Sequence, residues 1–169
     1  ALYNFLHHSP IISSSYPLPK SNFLDLCSGH GSCGLEALSW GVNFVCYVDI
    51  NPVMLKLVRE NNQIFKNDNF AILKADAAKL PKAIKKFNTI YVDPPYNQTV
   101  SLFEKILNSL YIGRWLSEKT LIILESKVKD NEMIDKVIAN NSFLSKRIKL
   151  IKKAICNSVV LSFFEYTLD

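Results

Sequence analysis

Short apolar, β-branched runs alternate with amphipathic stretches along most of this chain, and that alternation constrains its fold more than any other feature. Residues 23–27 read as a strand and 34–40 as a helix. Strands follow at 44–49, 70–74, 89–92 and 120–125, and helices at 52–65, 77–85, 102–111 and 131–140. In the helix at 52–65, Pro52 stands in the first turn and Val53, Leu57 and Ile64 supply the apolar positions. Such alternation implies an α/β fold, a parallel sheet covered by helices on both faces. Two last strand-like runs, 144–155 and 158–166, are parted only by Cys156 and Asn157 and are expected to form an antiparallel hairpin at one sheet edge. Residues 9–22, with Pro10, Pro17, Pro19 and the serines 13–15, read as a loop after a short N-terminal helix.

The chain has 169 residues, 49% hydrophobic, enough for one domain over 1–169 but not for separate cofactor and substrate domains. Ala1 is followed at once by the amphipathic Leu2, Phe5 and Leu6, so an N-terminal segment is expected to be missing. Cys27, Cys33, Cys46 and Cys156 lack C-x-x-C spacing, which argues for free thiols and against a zinc site or disulfide framework. Apolar runs fall far short of the ~20 residues that span a bilayer. With no basic-then-apolar leader, a cytoplasmic protein without a membrane partner is expected.

Glycine is scarce, with 5 in all, where average usage would give roughly 12. Yet Gly29, Gly31 and Gly34 cluster in FLDLCSGHGSCG, the turn from the first strand into the first helix. Ligands of parallel sheets bind at this end of the strands. Alone, G-x-G-x-x-G also fits dinucleotide dehydrogenases. Asp25 just before the loop argues otherwise: it would repel a pyrophosphate and could pair with an ammonium group. The next two strands also end in acids. Asp49 in YVDIN can accept both ribose hydroxyls, and Asp76 in KADAA is placed to reach an adenine amino group. Each acid is also a good helix N-cap.

After the fourth strand comes Asp93-Pro94-Pro95-Tyr96. Consecutive prolines hold the chain extended and fix the direction of the Pro94 carbonyl. A carboxylate and a fixed carbonyl together accept two hydrogen bonds from one amino group on a planar ring, while Tyr96 can lie against its face. Such a loop grips an exocyclic base amine and helps turn its lone pair toward a sulfonium methyl held in line. Asp93 would stabilise the developing positive charge and pass the proton onward; no metal is required.

The order DLCSGHGSCGLEALSWG, YVDIN, KADA, YVDPPY, LIILES resembles the class I S-adenosylmethionine-dependent methyltransferases with a D/N-P-P-Y/F motif. More closely, it is similar to the RsmD family of 16S rRNA (guanine-N(2)-)-methyltransferases, over nearly the whole chain. The resemblance implies a Rossmann-like, three-layer fold with seven strands, S-adenosyl-L-methionine as methyl donor, and one guanine of 16S rRNA, in a small-subunit particle, as acceptor. It further implies that Asp25, Gly29 and Gly31 contact the methionine part of the donor, Asp49 the ribose, and Asp76 and Ala77 the adenine. Asp93, Pro94 and Tyr96 would hold the guanine. A monomer is expected. The basic segment that opens the family is absent before ALYNFL, His30 and Cys33 stand where smaller residues are common, and Cys156-Asn157 replaces a glycine-containing turn.

Lys+Arg 20 against Asp+Glu 15 leaves a net charge of +5, which suits RNA without naming it. Lys146, Arg147, Lys149, Lys152 and Lys153 lie in an acid-free stretch, and Lys74, Lys79, Lys82, Lys85 and Lys86 form a second concentration. Both are candidate RNA contacts or merely solvated faces. Glu125, at the end of the fifth strand, can face the site or solvent. Competing readings are a DNA adenine-N(6)/cytosine-N(4) methyltransferase, for which 169 residues leave no room for a target-recognition domain, and a non-catalytic RNA-binding assembly factor. Peptide-glutamine methyltransferases favour Asn at the position of Asp93.

Overall fold

A computed structural model describes residues 9–168; the expected N-terminal helix lies outside them. Among the described residues, β1 (Asn22–Leu26), β2 (Phe44–Asp49), β3 (Phe70–Lys74), β4 (Phe87–Val92), β5 (Leu116–Lys127), β6 (Ile148–Cys156) and β7 (Val159–Thr167) form one sheet in the order β3-β2-β1-β4-β5-β7-β6. The first five strands are mutually parallel. β7 runs antiparallel to both β5 and β6. The expected hairpin is therefore present, with β6 at the edge and β7 inserted beside β5. Asn157, at φ 56, turns it without a glycine, since Asn tolerates the left-handed region better than most residues.

The α-helices among the described residues are α1 (Pro10–Ser15), α2 (Ser32–Ser39), α3 (Pro52–Ile64), α4 (Thr99–Ile112) and α5 (Asn131–Asn140). Strand alternation divides the core into two layers. Leu24, Leu26, Val48, Val92 and Leu124 pack with Phe103, Ile106 and Leu107 of α4 and Ile134 of α5. Phe23, Val45, Tyr47, Tyr91 and Ile123 pack on the other face with Ile12, Ala37 and Val58 of α1, α2 and α3. Full burial of such side chains stabilises the fold by about 1.5–3 kcal/mol each.

Several expectations change. The strand expected at 120–125 runs over Leu116–Lys127, so Glu125 lies within it and not at its end. The loop at 9–22 contains α1, which Pro10 opens at a position where a missing N–H costs nothing. The helix at 77–85 shrinks to one 3-10 turn, Ala77–Lys79. Leu80 is extended there, as a residue preceding a proline must tend to be. The strand beginning at 144 starts later, after a 3-10 turn at Leu144–Lys146. The helix at 52–65 forms, but Val53, Leu57 and Ile64 face solvent, and Leu55, Val58 and Asn62 face the sheet.

Candidate active site

The order β3-β2-β1-β4 places a topological switch at β1, where the chain first leaves toward β2 and later returns on the other side as β4. Crevices of this kind, at the carboxyl ends of the strands, are where open α/β sheets bind ligands. Here a cavity of about 520 Å³ opens beyond the ends of β1, β2, β3 and β4, within the range of small-molecule sites. Backbone bonds weld its floor together. Asp93 N donates to Leu26 O at 3.2 Å, Ser28 N to Val48 O at 3.0 Å and Ala75 N to Asp49 O at 3.1 Å.

The cavity brings together six of the nine residues singled out from the sequence: Asp49, Asp76, Ala77, Asp93, Pro94 and Tyr96. Both oxygens of Asp49 accept backbone N–H groups, from Gly29 at 2.9 Å and Asn51 at 2.8 Å. A carboxylate has further lone pairs, so these bonds orient it without using it up. Asp76 is exposed and caps the 3-10 turn through Ala78 N at 2.9 Å, so the capping role and the cavity wall coexist in one side chain.

Asp25, Gly29 and Gly31 lie outside the lining. Asp25 is buried beneath the glycine loop on the α2 side of the sheet, and its carboxylate accepts Gly34 N at 2.9 Å. Burial pushes its pKa up to about 8, against the opposing effect of the Gly34 bond. Gly31 stands at the N-cap of α2 with φ 83, and a side chain there would also meet Val58 Cγ2 at 2.9 Å. Gly34 is needed for packing: an added Cβ would lie 2.8 Å from Val45 Cγ1 and strike the Tyr47 ring. In this loop, Ser28 Oγ is buried with no hydrogen-bond partner among the described residues. A polar ligand over the loop would satisfy it.

At the far end, Asp93 is half-buried. Burial first, and the Glu125 carboxylate second, raise its pKa to about 7. Glu125 stands behind this end, outside the lining: it accepts hydrogen bonds from the hydroxyl of Tyr91 and, at 2.9 Å, from that of Tyr96. The Tyr96 hydroxyl is in turn pushed up to about 12, chiefly by that bond. Lys127 Nζ lies over the Tyr96 ring, 4.9 Å from its centroid.

The sequence left open whether Glu125 faces the site or solvent, and Glu125 bonds the site's Tyr96 from outside the lining. The sequence did not single out Cys27, Ile50, Gln98, Leu102 or Ile106 as site residues, and these line the cavity. Ile106 carries no sequence signal beyond core periodicity. Cys27, at φ 59, turns the chain at the end of β1, and burial pushes its thiol up to about 12. It is therefore a neutral wall rather than a nucleophile.

Three carboxylates and no basic side chain line the cavity among the described residues. Such a wall suits a cationic ligand and amino-group donors, and it disfavours a diphosphate. No described helix is long and apolar enough to cross a membrane.

A family model described as Conserved hypothetical protein 95 matches residues 1–159. The chain is 24% identical to an uncharacterized methylase of Rickettsia prowazekii, over 82% of this chain and 77% of the relative. It is 29% identical to ribosomal RNA small subunit methyltransferase D of Escherichia coli, over 63% of this chain and 54% of that protein, so it spans about half of that relative's length. The solved structure of YhhF from Escherichia coli superposes with a TM-score of 0.76 at 20% identity, covering 99% of this chain and 84% of YhhF. With both the family model and the fold in agreement over nearly its whole length, the chain belongs to the family described as Conserved hypothetical protein 95, the RsmD family.

Proposed function

We propose that this protein transfers a methyl group from S-adenosyl-L-methionine to the exocyclic 2-amino group of a guanine in small-subunit ribosomal RNA. The supporting observation is that Asp93, Pro94 and Tyr96 share one cavity with Asp49 and Asp76, so a base amine and a nucleoside-bearing donor have adjoining places. In this reading Asp49 takes the ribose hydroxyls, Asp76 and the Ala77 backbone the adenine. The glycine loop, with Asp25 beneath Gly34 and Gly29 tied to Asp49, shapes the end that receives the methionine part. The donor, when bound, supplies an electrophilic methyl on a sulfonium.

The protein's own groups then do the rest. The Asp93 carboxylate and the Pro94 carbonyl accept the two N–H groups of the amine and turn its lone pair toward the methyl carbon. As nitrogen bonds to carbon, the carbon–sulfur bond breaks with its electrons going to sulfur. The nitrogen becomes acidic and loses a proton to Asp93, whose burial makes it a better acceptor than an exposed carboxylate. Tyr96 supplies a ring face for the base. We place the protein in the cytoplasm, acting as a monomer on 16S rRNA or on the particle that contains it.

The deciding experiment incubates the protein with isotope-labelled S-adenosylmethionine and unmethylated small subunits or their RNA, then reads digested nucleosides by mass spectrometry. N(2)-methylguanosine is expected. Label on adenine or cytosine of DNA instead would favour the DNA-methyltransferase reading, and no transfer to any nucleic acid would favour the assembly-factor reading.

A further inference from the structure

We propose that Glu125 is a positioning residue for this transfer: its single carboxylate, held by the buried Tyr91, clamps the hydroxyl of Tyr96 and so fixes the Tyr96 ring at the mouth of the cavity. The inference rests on the base-amine reading of the site. Tyr96 follows two prolines, lies in a turn outside any helix or strand, and is 40% exposed. Backbone structure alone gives its side chain no fixed direction. Its restraints come from β5 instead, where Glu125 and Lys127, two residues apart, project from one side of the strand. One accepts the Tyr96 hydroxyl at 2.9 Å and the other sits over the ring at 4.9 Å.

Glu125 itself needs an anchor. Tyr91 supplies it, since this ring belongs to the core beneath α2 and is only 7% exposed. Its hydroxyl donates to the second oxygen of Glu125. Rigidity thus passes from the sheet through Tyr91 to Glu125 and on to Tyr96. A carboxylate on β5 with no role would turn to water, because standing close to Asp93 is electrostatically unfavourable. Here both oxygens are committed to tyrosines on either side of Asp93 in the sequence, and a ring held in place beforehand lowers the ordering cost of receiving a base.

The test uses Glu125→Ala and Tyr91→Phe, the latter retaining the buried ring. Two readouts are compared with the unmodified protein. The first is the rate at which tetranitromethane nitrates Tyr96, located by mass spectrometry, which requires no RNA. Both variants are expected to nitrate there several-fold faster, because loss of the clamp frees the hydroxyl to ionise. The second is steady-state methyl transfer. For Glu125→Ala, kcat is expected to fall about tenfold, as for a mispositioned acceptor, with KM for S-adenosylmethionine unchanged; Tyr91→Phe gives a smaller fall in the same direction. Unchanged nitration in both variants overturns the clamp. Faster nitration with unchanged kcat overturns its role in transfer. If the unmodified protein fails to methylate guanine, the functional reading fails, and the nitration rates still decide whether Glu125 holds Tyr96.

Discussion

Asp93 is held near the pH at which its charge state changes. As a carboxylate it accepts an amine hydrogen; protonated, it presents a donor to the same amine. With its pKa raised to about 7, kcat/KM for RNA should rise with pH to a plateau above about 7, falling about tenfold per unit below it. Removing the neighbouring charge by Glu125→Gln shifts that acid limb to lower pH, because Glu125 raises the pKa of Asp93. Asp93→Ala is expected to abolish transfer while leaving S-adenosylmethionine binding nearly intact by calorimetry. Asp25 carries a different consequence. Its folded pKa of about 8 lies above the unfolded value of about 3.9, so the native state keeps a proton that the unfolded chain has lost. Stability from this group is full below about pH 4 and is lost as pH rises toward 8. Asp25→Asn keeps an acceptor for Gly34 N and no charge; it should melt at least about 3 °C above the parent at pH 8, with the gap closing toward pH 4. The strand-end acids were legible because acids interrupt apolar runs at regular places. The burial of Asp25 was not, because it depends on α2 folding back across the end of β1.

At the scale of elements, α3 separates what periodicity can and cannot say. The spacing of Val53, Leu57 and Ile64 identified a helix, but a second stripe, Leu55, Val58 and Asn62, is the one that meets the sheet. Asn62 is fully buried, donating to Val58 O at 2.9 Å and accepting from Tyr47 Oη at 3.4 Å. A polar residue in the inward stripe sends a hydrophobicity reading to the wrong face. Val58→Ala should therefore cost about 2 kcal/mol, whereas Ile64→Ser, at a site 72% exposed, should stay within about 0.5 kcal/mol; chemical denaturation distinguishes them. Gly34 was read as part of a ligand loop, and its larger job is packing α2 on β2. Gly34→Ala is expected to destabilise by about 1–3 kcal/mol through overpacking against Val45 and Tyr47. The helix expected over 77–85 failed for a reason present in the sequence, Pro81, whose effect reaches back to Leu80.

For the whole molecule, the distribution of charge decides how RNA would approach. The acid-free stretch that contains Lys149, Lys152 and Lys153 reads as a strongly basic strip only in one dimension. Folding brings acids to it from elsewhere: Asp135 of α5 bonds Lys153 at 2.7 Å, and Glu165 of β7 stands opposite Lys149 in register. Glu165 is also shared with Lys119 at 3.1 Å. By contrast, Lys127 lies at the cavity mouth over Tyr96, and the exposed Lys129 follows in the next turn. A phosphate flanking the target base would meet these two first. Each phosphate contact steepens the dependence of log affinity on log salt by about 0.7–0.9. Neutralising Lys129 should therefore lower affinity for small-subunit RNA and flatten that slope by close to one contact. Neutralising Lys153, already paired with Asp135, should change neither by as much. Filter-binding titrations over a range of salt, with Lys129→Ser and Lys153→Ser against the parent, measure both quantities. A larger effect at Lys153 would move the RNA path from the cavity mouth to the β6 edge.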